Sequence, residues 1–342
     1  MTGSANRARV RLSPTTVVIG LAAVAALAGL ALWRGGMLDL PGVPAGLTAS
    51  QAGLADLALL RGRALRLEAP AGHDEGVDPA MALAAEGLAA VRRGEAEQGL
   101  EKLCEALSRK PRDLVIGNAY RMAVFHLRRT WLADVTRRET LAKRLPPYLE
   151  REPVATLERL RREHPSRETT LQLALAWVDE LMLFPALEIQ APASVESVNL
   201  LSEVLASDPV YVPALYGRGL NYLHRPARLV WPEARKAAPD AASRDLALCV
   251  AIGRRIGGAP PRLVATLALA LGDAYAKEGR PGHARSWWQI AQNSSRDSAL
   301  LESIRRRFAW QDDEMLDRLE AELEGRLLDL EQPLTDLSVM WR

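Results

Sequence analysis

Residues 271–292 read LGDAYAKEGRPGHARSWWQIAQ, which places Asp273, Lys277, Glu278 and His283 a few helical turns apart, beside Trp287 and Trp288. A carboxylate, an amine and an imidazole in one stretch could support general acid–base chemistry. The same residues could instead be polar positions on two helices packed closely around Gly272 and Ala284. The wider sequence gives the catalytic reading no support. It has no GxSxG, no HExxH, no GxxxxGK and no GxGxxG. The five histidines, His73, His126, His164, His224 and His283, are far apart, and none has a His or Cys at helical ligand spacing. Glu314, Asp317, Glu320 and Glu322 lie among Arg residues and read as solvated helix faces. The glycines of IGRRIGGAP (252–260) lack a following phosphate-binding Lys–Ser/Thr, and read as a helix end and turn. No catalytic residue, cofactor or metal site is therefore expected.

The chain has 342 residues, 48% of them hydrophobic and 25% charged, so a folded core is expected. Ala, Leu, Arg and Glu dominate and aromatics are only 5%, a composition that favours helices. The net charge of +2 comes from Arg7, Arg9, Arg11 and Arg34; setting these aside leaves 40 basic against 42 acidic residues. That balance gives no basic footprint for nucleic acid. Cys104 and Cys249 stand outside any CxxC or CxxCH motif. Buried thiols are the expectation, and pairing in an oxidising compartment is the alternative.

Residues 15–33, TTVVIGLAAVAALAGLALW, carry no charge. As a helix the run spans about 28 Å, close to a hydrocarbon core of about 30 Å. Three arginines precede it, Trp33 closes it and Arg34 follows. The positive-inside rule then keeps residues 1–14 in the cytoplasm and exports the rest. A cleaved signal peptide ending at ALA (26–28) is the rival reading. The Ala/Arg-rich composition points to a bacterium. The expected location is the inner membrane, crossed once, with the remainder in the periplasm. Residues 34–50 are rich in Gly and Pro and read as a linker.

From 51 to 331 helix follows helix, with breaks at Gly and Pro. Residues 50–69 read as one amphipathic helix. Asp78 and Pro79 form an N-cap and first-turn proline for a helix running to about Arg93. Gly94 breaks it, and a second helix ends at Pro111. Residues 198–223 repeat the plan around Asp208–Pro209. Residues 128–153 read as irregular helix, 183–194 and 225–245 as long insertions, and the sequence after 297 as two further helices. Leu334, Leu337, Met340 and Trp341 make the segment 332–342 apolar. It is expected to dock on the last helices, or else to be a partner motif.

These units resemble tetratricopeptide repeats, paired antiparallel helices with a period of about 34 residues. In the unit starting at Ala265, Leu271, Gly272, Tyr275, Ala284, Trp288 and Ala291 match, while Ala268 and Arg296 depart. In the unit at Ala80, Leu83, Gly87, Leu103, Ala106 and Pro111 match, while Glu86 and Ala90 do not. Leu215, Gly219 and Tyr222 match in the unit at Val212, and Leu201, Leu205 and Pro209 close the one before it. The resemblance implies an all-α, right-handed α-solenoid, here preceded by one transmembrane helix. It also implies a groove for an extended or helical peptide, lined by Tyr216, Leu220, His224, Leu269, Asp273 and Lys277. Among the tryptophans, Trp231 in the LVWPE insertion and Trp287 are the candidates for exposed anchors.

The expected function is a non-catalytic, membrane-anchored scaffold or adaptor that binds a protein partner in envelope assembly or maturation. An anchor followed by such repeats resembles subunits of cytochrome c maturation, outer-membrane assembly and pilus systems. The alternative is an envelope enzyme acting on carbohydrate, which would need two convergent carboxylates in a deep pocket. Self-association through the repeats is a third possibility.

Overall fold

A computed structural model of the protein describes residues 42–55, 57–68, 78–133, 152–183, 187–225, 240–329 and 335–342. The chain divides into two units, Met1–Asp39 and Leu40–Arg342. The first unit, with the apolar run 15–33, lies outside the described residues, as do Trp231 and His73. Among the described residues no helix is long and apolar enough to cross a membrane.

The second unit is all-α. Among the described residues it has thirteen α-helices, one short 3-10 helix and no strand. The first helices are α1 (Leu57–Glu68), α2 (Pro79–Arg92), α3 (Ala96–Arg109) and α4 (Leu114–Ala133). They continue as α5 (Glu152–Glu163), α6 (Arg167–Leu183), α7 (Leu187–Ser207), α8 (Val212–His224) and α9 (Ala241–Ile256). The last are α10 (Pro261–Lys277), α11 (Pro281–Ser294), α12 (Ser298–Phe308) and α13 (Met315–Asp329), before the 3-10 turn Leu337–Met340.

Local chemistry sets several of these boundaries. The Asp78 carboxylate accepts from the Ala80 N–H, with Pro79 at the first helical position, so α2 starts there. Asp113 caps α4 through the Val115 and Ile116 N–H groups, and Asp297 caps α12 through Ala299 and Leu300. Gly94 and Gly279, at φ +87° and +70°, turn the chain between α2 and α3 and between α10 and α11. After each glycine the next N–H bonds back to the preceding helix, Glu95 to Ala90 O and Arg280 to Tyr275 O.

Two helical pairs approach most closely through small residues. A Cβ on Gly87 would lie 2.8 Å from the Gly99 carbonyl oxygen, so α2 and α3 meet backbone to backbone. In α10 and α11, Gly272 faces the Ala284 carbonyl oxygen and the Trp288 indole, with 3.0 Å between a would-be Cβ and that oxygen. Trp288 then stacks edge-on against Phe308 and Trp310, joining α11 to α12 and the turn beyond it.

Neighbours in sequence are neighbours in space. Besides the pairs α2/α3, α5/α6, α6/α7, α8/α9 and α10/α11, the alternate helices α2, α4, α6, α8 and α10 touch one another in that order. They form one layer, and α6 at its middle is buried at every residue from Leu171 to Ala176.

Two expectations change. Residues 50–69 are not one helix. The Gln51 side chain accepts from the N–H and hydroxyl of Thr48, and a side chain at Gly53 would run into the Tyr211 ring. The Val212 N–H donates to Ala52 O at 2.9 Å, so this segment is pinned to the start of α8, and α1 begins only at Leu57. The loop expected over 183–194 is largely helical, because α7 starts at Leu187 and continues through Pro192. A proline so near the helix start forfeits one bond, to the carbonyl of residue 188. Cys104 and Cys249 are not bridged; Cys249 is buried in α9 and its thiol donates weakly to Val212 O.

Candidate functional site

Residues 335–341 do not dock on the last helices. They lie across the alternate-helix layer, against α4, α6 and α10, and every residue from Thr335 to Trp341 is buried. Arg342 pairs with Glu68 at the end of α1.

The contact is built on four polar side chains in otherwise apolar helices. Asn118 and Arg121 are one turn apart on α4; Gln172 and Asp179 are two turns apart on α6. All four are nearly fully buried. Arg121 stands at the centre. Its Nε donates to Gln172 Oε1 at 2.6 Å and its Nη1 to Asp179 Oδ2 at 3.0 Å. Its Nη2 donates to Asn118 Oδ1 at 3.1 Å and to the Thr335 carbonyl oxygen at 2.9 Å.

Asn118 reads the segment from the other side. Its Nδ2 donates to Asp336 Oδ1 at 2.8 Å, and its Oδ1 accepts the Leu337 N–H at 2.8 Å. The Thr335 hydroxyl donates to Asp179 Oδ1. Asp336 also accepts the Ser338 N–H, which starts the 3-10 turn and swings Val339, Met340 and Trp341 into apolar surroundings. Gly117 makes room for this arrangement, since a Cβ there would lie 2.9 Å from the Gln172 side chain. Burial pushes the Asp179 carboxyl up to about 6, against the opposing pull of the Arg121 charge and the Thr335 hydroxyl. Gln172 Nε2 is buried with no hydrogen-bond partner among the described residues.

The residues expected to line an open groove are placed otherwise. Tyr216, Leu220 and Leu269 are buried. Burial raises the Tyr216 phenol above its ordinary range, and the nearby Asp336 carboxylate adds to the effect. Tyr216 thus belongs to the surroundings of the docked segment rather than to a free surface.

Asp273 is a structural staple. Its carboxylate takes two hydrogen bonds from Arg307, at 2.6 and 2.7 Å, and one from Trp288 Nε1 at 2.8 Å. Arg307 also donates to Glu322 and to the Ser303 hydroxyl, so α10, α11, α12 and α13 are tied at one point. Burial alone would lower the Arg307 guanidinium; the Asp273 charge, then Glu322, hold it above its ordinary value.

Lys277 is half-buried and caps α8, its Nζ donating to the Leu223 carbonyl oxygen at 2.7 Å. His224 is half-buried at the end of α8. Trp287 is 1% exposed, so its indole is not an exposed anchor. Trp231 lies outside the described residues. Sequence reasoning passed over Asn118, Arg121, Gln172, Asp179, Thr335 and Asp336. For the four helical residues the signal was polar side chains recurring at helical spacing inside the apolar runs 114–128 and 169–183.

Two shallow clefts open elsewhere. One, of about 420 Å³, includes Arg63, Asp113, Arg167 and Glu168; the other, of about 510 Å³, includes Arg161, Arg167 and Glu203. Each of these carboxylates is ion-paired, Asp113 with Arg63, Glu168 with Arg167 and Glu203 with Arg161. Neither cleft offers the unpaired, convergent carboxylates that glycoside chemistry requires. Among the described residues no three His, Cys, Asp or Glu side chains are grouped to hold a metal ion. No protein-family model matches the sequence, and no curated protein is significantly similar to it.

Proposed function

We propose that the chain is a scaffold of tetratricopeptide type, anchored in a bacterial inner membrane through residues 15–33. Its helical hairpins stack as a right-handed α-solenoid on the periplasmic side and bind a protein partner in envelope assembly or maturation. One observation carries this reading. Alternate helices form a continuous layer, and that layer holds a short turn of chain, residues 335–341, through side-chain bonds to its main chain. A surface that reads peptide main chain suits protein binding, in which affinity comes from backbone hydrogen bonds and specificity from flanking side chains.

The test is crosslinking of the full chain in its own membranes, followed by purification. The expected result is a discrete protein partner, recovered with the wild type and with a substitution at exposed Leu316. Recovery of no protein contradicts the reading. A periplasm-active reporter fused after residue 342 should be active; activity of a cytoplasmic reporter there would overturn the topology.

A further inference from the structure

The Asn118–Arg121–Gln172–Asp179 cleft differs from the other helix contacts in what it recognises. The α2/α3 and α10/α11 contacts interlock small and large side chains. This cleft instead takes a carbonyl oxygen, an N–H, a hydroxyl and a carboxylate from three successive residues, Thr335 to Leu337. Buried polar clusters of this kind stabilise a fold less than well-packed apolar residues of the same volume. The groups that face the segment, on Asn118, Arg121 and Asp179, are therefore matched to a peptide's main chain and polar side chains.

We infer that this cleft is a peptide site held closed in cis by residues 335–341, and that a partner segment of the same chemistry displaces them. That segment presents a hydroxyl residue, then Asp, then an apolar turn. The Thr335 hydroxyl and the Asp336 carboxylate set the polar half of this pattern, facing Asp179 and Asn118. Leu337, Val339, Met340 and Trp341 set the apolar half. The inference rests on the scaffold reading and adds to it that the binding face is self-occupied until a partner arrives.

The experiment keeps the whole chain. A protease site is placed within residues 330–334, and the folded protein is cut and dialysed. A fluorescent peptide spanning Thr335–Arg342 is then titrated against cut and uncut protein. Covalent attachment presents the cis segment at about millimolar effective concentration, so the uncut protein should bind the peptide roughly tenfold or more weakly. Peptides carrying Thr335→Ala or Asp336→Ala should each bind the cut protein roughly tenfold more weakly, since each leaves a buried group unanswered. Because these changes are in the peptide, they cannot act through the protein's folding. Equal binding by cut and uncut protein, no binding by cut protein, or loss of the helical signal on cutting would each overturn the inference. Such a failure would leave the scaffold reading to the membrane crosslinking, which does not depend on the peptide.

Discussion

Asn118 and Asp336 are 218 residues apart in sequence and joined by a 2.8 Å hydrogen bond from the Asn118 amide to the Asp336 carboxylate. The other atom of the same amide, Oδ1, takes the Leu337 N–H. One short side chain thus holds two successive residues of the docked segment. Asn118→Ala removes both bonds and leaves Leu337 N–H and Asp336 buried with fewer partners. The expected loss is about 1–3 kcal/mol in urea denaturation. An unchanged midpoint would show that the amide does not hold the segment.

The Asp273–Arg307 pair gives a larger effect. Both groups are buried, and removing one leaves the other charged and uncompensated. Asp273→Ala should cost about 3–5 kcal/mol. Arg307→Lys should recover little, because an ammonium cannot make two parallel bonds to Asp273 and still reach Glu322. The double variant Asp273→Leu with Arg307→Met should be more stable than either single change. Additive losses in denaturation would argue against a coupled pair.

Glycine substitutions should change sign with position. A methyl on Gly87 meets the Gly99 backbone, so Gly87→Ala should destabilise by about 1–3 kcal/mol. Gly62 lies within α1 with nothing within 4 Å of a would-be Cβ, so Gly62→Ala should stabilise by about 0.5–1 kcal/mol. Two substitutions with the same chemistry and opposite shifts in thermal midpoint would support the close α2/α3 contact.

Asp179 should impose a pH dependence on stability. Its folded value, about 6, lies above the ordinary 3.8, so the folded state binds this proton more readily than the unfolded state. Its contribution is fully present below about pH 3.8 and is lost as pH rises through about 6. Relative to Asp179→Asn, the wild type should therefore gain up to about 3 kcal/mol as pH falls from 7 to 4. Urea denaturation of both proteins at four pH values measures the difference. A flat difference would place the carboxyl in a polar setting.

Much of this architecture was legible where the determinant is local. Asp78–Pro79 and Gly94 act through their own backbone and immediate neighbours, and the boundaries of α2 and α3 follow. Gly272, Ala284 and Trp288 interlock within one hairpin, so their spacing carried the contact. Asp273 was misleading because its partner is Arg307, 34 positions on, in a run of three arginines that reads as solvated surface. The docked segment was hidden for a related reason. Its recognition uses main-chain atoms of Thr335 and Leu337, which have no side-chain signature, and partners more than two hundred residues away. The turn before α1 depends in part on a distant ring, that of Tyr211, which leaves no room for a side chain at Gly53.

The central claim is that residues 335–341 are an exchangeable occupant of the layer and not a fixed part of its core. Native-state amide hydrogen exchange on the uncut, wild-type chain tests it most directly. If the segment opens by itself, the Leu337, Ser338 and Trp341 amides exchange through a local opening. They do so faster, and with a weaker dependence on urea, than the buried amides of α4 and α6. If these amides exchange only with global unfolding, matching α4 and α6 in rate and urea dependence, the segment is core and the claim is wrong.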